Sequence, residues 1–204
     1  MPDEIDGHNI LDDATMEVVS DNIADWTFEQ VLGVTNPIPK DERSVINFRV
    51  PRYNYSVAAI RDLARSLSTS FTVVTRVALP HGFSIYSRKW KDSINTLNAL
   101  DSAALDTENQ QYFNFRMVRP TIDLNRGEVS RRIPVVTSHA LADAIGNQSA
   151  ILGTSISHLV GYCILLSLVT SDTINPHAKT HFQKYINGFE YTMQLTTDHA
   201  VKLL

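Results

Sequence analysis

Two hydrophobic rhythms alternate along this chain. Met16, Val19, Ile23, Trp26, Val31 and Leu32 recur at roughly helical intervals, which predicts one or two short amphipathic helices over Asp13 to Leu32. Gly33 to Asp41 interrupts that pattern. Pro37 and Pro39 lack the amide a helix needs, so the stretch reads as a linker. The period then shortens to two in Ile46-Asn-Phe-Arg-Val50, the signature of a half-buried strand, and Pro51 ends it. Val57, Ile60, Leu63, Ala64 and Leu67 return to intervals of three and four, predicting a helix capped by Asn54 or Ser56. Ser68-Thr-Ser70 breaks it. A second helix is expected from Phe71 to Leu79, stopping before Pro80. The same run is rich in β-branched residues and reads equally well as a strand.

The later half repeats the theme. Ser87 to Ala104 reads as a polar helix, Gln110 to Val118 as extended chain and Asn125-Arg-Gly127 as a turn. Arg131 to Thr137 is the next strand. Ser138 caps a helix through Ile151, and Thr154 or Ser155 caps another through Val169. Pro176 opens a last helix, where proline is tolerated. Its apolar side carries Tyr185, Ile186, Phe189, Met193, Leu195, Val201 and Leu203, with an irregular break in the middle. Two stretches offset by 85 residues thus carry one layout: Ile60 to Val74 and Ile145 to Leu159, each behind a short extended segment.

Strand, helix, small-residue break and second helix resembles the ribbon-helix-helix (Arc/Met repressor-like) family of DNA-binding proteins. The resemblance covers Ser44 to Leu79 and Ser130 to Leu168. It is most specific in Leu152-Gly-Thr-Ser-Ile-Ser-His-Leu-Val160, and Ile46-Asn-Phe-Arg-Val-Pro51 is similar to the family's strand followed by proline. Arg131 at an expected inward position and Gln148 at a family leucine position depart from the pattern. One such unit cannot bury its own apolar face, so a chain carrying two would supply both halves of one ribbon. The resemblance implies a mainly α fold with a small antiparallel β ribbon, built from two ribbon-helix-helix-like units plus terminal helices. The implied segments are 1–43, an acidic helical arm and linker; 44–86, the first unit; 87–129, a spacer; 130–170, the second unit; and 171–204, a C-terminal amphipathic helix.

A two-stranded antiparallel ribbon fits the major groove of B-DNA, where each base pair shows a distinct donor and acceptor pattern. Alternation sends Ile46, Phe48 and Val50 inward, and Val45, Asn47 and Arg49 outward. On the partner strand Ile133 and Val135 face in, while Ser130, Arg132 and Pro134 face out. The expected base contacts are therefore Val45, Asn47, Arg49, Ser130 and Arg132. Arg49→Ala should cost about 1–3 kcal/mol on a specific site. The amino ends of the second helices expose unpaired amides suited to phosphate oxygens, which nominates Ser68, Thr69, Ser70, Thr154 and Ser155. Arg52 joins them as a phosphate contact, and Arg88, Lys89 and Lys91 as neighbouring positive charge. A rival strand, Phe113 to Arg119, resembles Ile46 to Pro51 more closely than Arg131 to Val136 does. If it is the partner, Asn114 and Arg116 become the contacts.

The charge split suits contact with a polyanion, and ordinary solvated surfaces would show it too. Net charge is −4, but residues 1–43 hold 11 acidic and 2 basic side chains, whereas 44–136 hold 7 acidic and 13 basic. An acidic arm ahead of a basic middle could compete for the same surface. The hydrophobic fraction of 43% is that of a folded domain. The single cysteine, Cys163, excludes a disulfide framework and a cysteine-rich zinc site, and is read as core. His177 and His181 lie four apart without a third ligand, so neither metal nor cofactor is expected. No phosphate loop or catalytic set emerges, and no enzyme activity is expected. The acidic amino terminus is unlike a signal peptide, and Ile151 to Val169 is too polar for a membrane span, so a cytoplasmic protein is expected.

These readings converge on sequence-specific binding of double-stranded DNA by a transcriptional regulator, a repressor for instance, or by an accessory protein of a plasmid or other mobile element. A homo-oligomer and an unidentified protein partner for the acidic arm complete the expected partners. Two alternatives stay open: a structural or assembly protein such as a viral or filament subunit, and an α/β enzyme without a recognisable site.

Overall fold

Arg43–Phe48 (β1) and Ile133–Ser138 (β2) lie side by side and antiparallel, forming a two-stranded sheet. The computed structural model describes residues 23–93, 95 and 131–201. The register sets Arg43 opposite Ser138, Val45 opposite Val136, Ile46 opposite Val135, Asn47 opposite Pro134 and Phe48 opposite Ile133. Period-two alternation does the rest. Phe48 and Val135 are buried and Ile46 packs against the core, while Arg43, Val45 and Asn47 face out. The strand expected over Ile46–Val50 therefore starts and ends earlier, and the one expected over Arg131–Thr137 starts later.

The remainder is helical. A short helix, Phe28–Val34 (α1), and a 3-10 turn at Lys40–Glu42 precede β1. Tyr53–Ser66 (α2) and Phe71–Lys89 (α3) follow it. His139–Leu152 (α4) and Ile156–Leu168 (α5) follow β2, and Pro176–Val201 (α6) comes last. The second helices, α3 and α5, make the most extensive helix–helix contact, and α6 packs on α5. The strand covers are exchanged. α5 lies mainly against β1 and α3 against β2, so neither strand-helix-helix segment closes its core alone.

The two helix breaks make the same hydrogen bonds. The Ser68 and Gly153 amides donate to the Arg65 and Ala150 carbonyls at 3.0 and 3.1 Å. Thr69 and Thr154 donate to Ala64 and Ser149 at 2.9 and 3.0 Å. Ser70 and Ser155 cap the next helices, accepting from the Val73 and His158 amides at 3.2 and 3.3 Å. Ser68 and Gly153 both take the left-handed conformation, with φ of 51° and 63°. That geometry suits glycine and strains serine.

Several local expectations are corrected. Phe71–Leu79 is helix, and the helix continues through Pro80 to Lys89. Proline removes one backbone bond, at a cost of about 3 kcal/mol in a helix interior. Burial of its apolar neighbours Val77, Ala78 and Leu79 works against that loss. The polar helix expected from Ser87 thus begins inside α3. α1 runs past Gly33. Neither Asn54 nor Ser56 caps α2; its N-cap is Arg52, at φ 44°, and the Ser56 hydroxyl donates back to the Pro51 carbonyl. Ser138 caps α4, Ser155 caps α5, and Pro176 opens α6, as expected.

A polar chain ties α6 to the centre. The Trp90 indole donates to the Tyr162 hydroxyl at 3.3 Å, which donates to Glu190 at 3.0 Å, and Lys89 closes on the same carboxylate at 2.6 Å. Tyr162 also stacks on Phe189, with ring centres 4.4 Å apart. Among the described residues no single helix is long and apolar enough to cross a membrane. α4 and α5 pass that test only together, and they are bent by 110° at their break.

Candidate nucleic-acid interface

The outward face of the ribbon sets Arg43, Val45 and Asn47 against Ser138, Val136 and Pro134. Val45 is 62% exposed, a high value for an apolar side chain on a strand. Pro134 lacks an amide to donate, which a two-stranded ribbon tolerates because each strand has a free edge. Arg132 is exposed one residue before β2, at the Asn47 end. At the opposite end the Arg43 Nε donates to the Ile38 carbonyl at 2.8 Å, which anchors the side chain at its root.

Arg49 does not extend this face. β1 ends at Phe48, and although Val50 is buried as alternation expects, Arg49 is only half-exposed. Its amide donates to the Ser157 carbonyl at 3.0 Å, and the backbone of α5 presses on its own carbonyl at Gly161. Its Nε is enclosed without a hydrogen-bond partner. The expected base reader is thus half-buried at the foot of α5. Arg131, expected as a misplaced inward residue, is exposed and holds its guanidinium 5.6 Å from the centre of the Tyr53 ring. Gln148, the other departure, accepts a hydrogen bond from the Tyr86 hydroxyl at 3.2 Å.

At the helix ends the expected phosphate contacts differ in exposure. Ser70 and Ser155 are exposed, and their oxygens serve as caps. An α-helix leaves its first amides without intrahelical partners, and each serine satisfies one of them. Ser68 is exposed and Thr69 half-buried, while the Thr154 Oγ1 is enclosed and has no partner. Arg52 is exposed immediately ahead of α2. The bond between Arg49 and Ser157 brings the foot of α5 to the Phe48 end of β1.

Arg88 and Lys89 lie at the far end of α3, about 27 Å along the helix from Ser70. Arg88 pairs with Asp25 at 2.6 Å and Lys89 with Glu190 at 2.6 Å. The hydrogen bond from Arg88 holds the Asp25 carboxyl below its ordinary range, although that carboxyl is open to solvent. Lys91 is exposed. Ser130, Asn114 and Arg116 lie outside the described residues. Among the described residues β2 pairs with β1, and no group of three His, Cys, Asp or Glu could hold a metal ion.

Sequence reasoning missed Arg43, Val136 and Ser138 on the outer face. The signal was present, since continuing the alternation two residues before Val45 reaches Arg43. No known protein family, curated protein or solved structure matches the chain.

Proposed function

We propose that the protein binds double-stranded DNA by laying the β1–β2 ribbon into the major groove, and that β1–α2–α3 and β2–α4–α5 act as two divergent ribbon-helix-helix-like units. The observation that carries this reading is the ribbon itself. Its inner face is apolar and seated on α3 and α5, and its outer face offers Arg43, Asn47 and Arg132 beside the exposed Val45. Paired strands of this kind match the width of the major groove. Asn47 can bond N6 and N7 of adenine, an arginine can bond O6 and N7 of guanine, and Val45 can meet a thymine methyl. The capped amino ends of α3 and α5 supply amides and a positive dipole end for backbone phosphates.

Such a surface suits a regulator of transcription or a mobile-element accessory protein. Selection from a random duplex pool, followed by gel shifts, tests it. The expected result is an enriched motif whose retention weakens steeply with salt, because bound arginines and helix ends displace counterions. Failure to retain any duplex at low salt would refute the reading.

A further inference from the structure

Beside the ribbon's Arg43 end, a cleft opens between α3, the segment joining α1 to β1, and the junction of β2 with α4. Arg76 and Pro80 of α3, Ile38, Thr137, Ser138 and Leu141 line it. Arg76 is half-buried, and its Nε is fully enclosed with no hydrogen-bond partner. Among the described residues no carboxylate pairs with it, and the lining contains no acidic side chain. One enclosed N–H without an acceptor is costly, and an oxyanion is the strongest partner for the half-exposed guanidinium that carries it. The Ser138 oxygen already accepts from the Leu141 amide at 3.2 Å, so its hydroxyl hydrogen remains to donate. Ile38, Pro80 and Leu141 supply an apolar part of the wall, and Thr35, Asn36 and Thr137 complete it.

We propose that this cleft binds a small organic anion, whose carboxylate or phosphate group takes Arg76 and Ser138 while a short apolar body rests on Ile38, Pro80 and Leu141. The site touches what fixes one end of the ribbon. The Ile38 carbonyl holds the Arg43 Nε, and Ser138 is the cross-strand partner of Arg43. Resting on the DNA-binding reading above, occupancy then changes the affinity of the ribbon for its duplex, and the duplex changes affinity for the anion by the same factor.

The test uses the isotope-labelled full chain, titrated with sodium butyrate and with sodium phosphate against sodium chloride at matched ionic strength. The expected result is a saturable shift of the Arg76 Nε–H and of the Thr137, Ser138 and Leu141 amides with butyrate, phosphate or both, and none with chloride. Butyrate alone identifies a carboxylate ligand, phosphate alone a phosphate ligand. Arg76→Gln should weaken binding about tenfold or more, with Arg76→Lys intermediate. The proposal is overturned if neither oxyanion gives a saturable shift, or if shifts spread evenly over exposed arginines. The titration of the unaltered protein decides this even if both variants fail to fold. On the selected duplex, a change of about threefold or more in Kd with the bound anion supports the coupling. An unchanged Kd removes the coupling and leaves the site. A protein that binds anion but no duplex refutes the reading of the ribbon alone.

Discussion

Gly82 of α3 rests directly on the backbone of Cys163 in α5: a Cβ at Gly82 would lie 1.7 Å from the Cys163 carbonyl oxygen. The two second helices touch backbone to backbone, and no rotamer change could make room for a methyl group. Gly82→Ala should therefore force the helices apart and destabilise the protein by about 3 kcal/mol or more, the upper range for overpacking. Urea denaturation measures it. A loss below about 0.5 kcal/mol, the range of an ordinary surface substitution, would show that the crossing is looser than described.

Ser68 and Gly153 occupy equivalent places in the two helix breaks, at φ 51° and 63°. Only glycine adopts that region without penalty. Ser68→Gly is expected to stabilise the protein by about 0.5–1 kcal/mol, and Gly153→Val to destabilise it by at least about 1 kcal/mol. Thermal melts of both variants check the pair, and opposite signs are the required outcome.

His81 is buried in α3, with Nδ1 2.9 Å from the Ser167 hydroxyl. Burial drives its pKa from 6.5 down to about 4, against a smaller opposing pull from the backbone at Ile23 and Trp26. That backbone favours the charged ring, yet Nε2 completes no hydrogen bond, so burial dominates. Below pH 6.5 the unfolded chain takes up the proton and the folded one does not. Stability is thus complete above that pH and declines as pH falls toward 4. The loss should reach roughly 3 kcal/mol across the window. Denaturation at several pH values, compared with His81→Phe, isolates this contribution. Parallel curves for the two proteins would contradict it.

Glu29 adds a second acid-sensitive link. Burial raises its pKa, but donation from the Ser171 hydroxyl and from the backbone, the Thr173 amide among them, outweighs burial and holds the carboxyl below its ordinary value. A depressed folded pKa means stability that is present above the unfolded value and lost as pH falls through the folded one. Glu29→Gln should lower the melting temperature at neutral pH and leave it nearly unchanged in acid. An equal effect at both pH values would count against the bond.

On the selected duplex, Asn47→Ala should cost about 1–3 kcal/mol and relax the preference at one base pair. Ser70→Gly should keep most of the cap and leave sequence preference intact. Arg49→Ala, by contrast, should act chiefly on folding, because its side chain is half-buried with the Nε enclosed. Binding isotherms on matched and single-mismatch duplexes separate the three. Loss of base discrimination in Arg49→Ala at unchanged stability would restore it to the reading face.

Strand alternation from Ile46 to Phe48, the caps at Ser138 and Ser155, the break at Ser68–Ser70 and the opening at Pro176 were all legible in the sequence. Each follows from steric limits and hydrogen bonds spanning a few residues. Phe71–Leu79 was not legible, because β-branched residues suit either a helix or a strand and only packing against α5 selects the helix. Pro80 was misleading for the same reason, since the local cost of proline is set against burial supplied by a distant segment. The boundaries of β1 shifted toward Arg43, and Arg49 left the outer face, because a strand ends where its partner ends and Ile133 faces Phe48. Chain-local chemistry therefore determined which segments could become strand, turn or helix. Which strand met which, which arginines stayed in water and where Arg76 came to line a cleft were decided by tertiary contacts, whose energies depend on residues far apart in the chain.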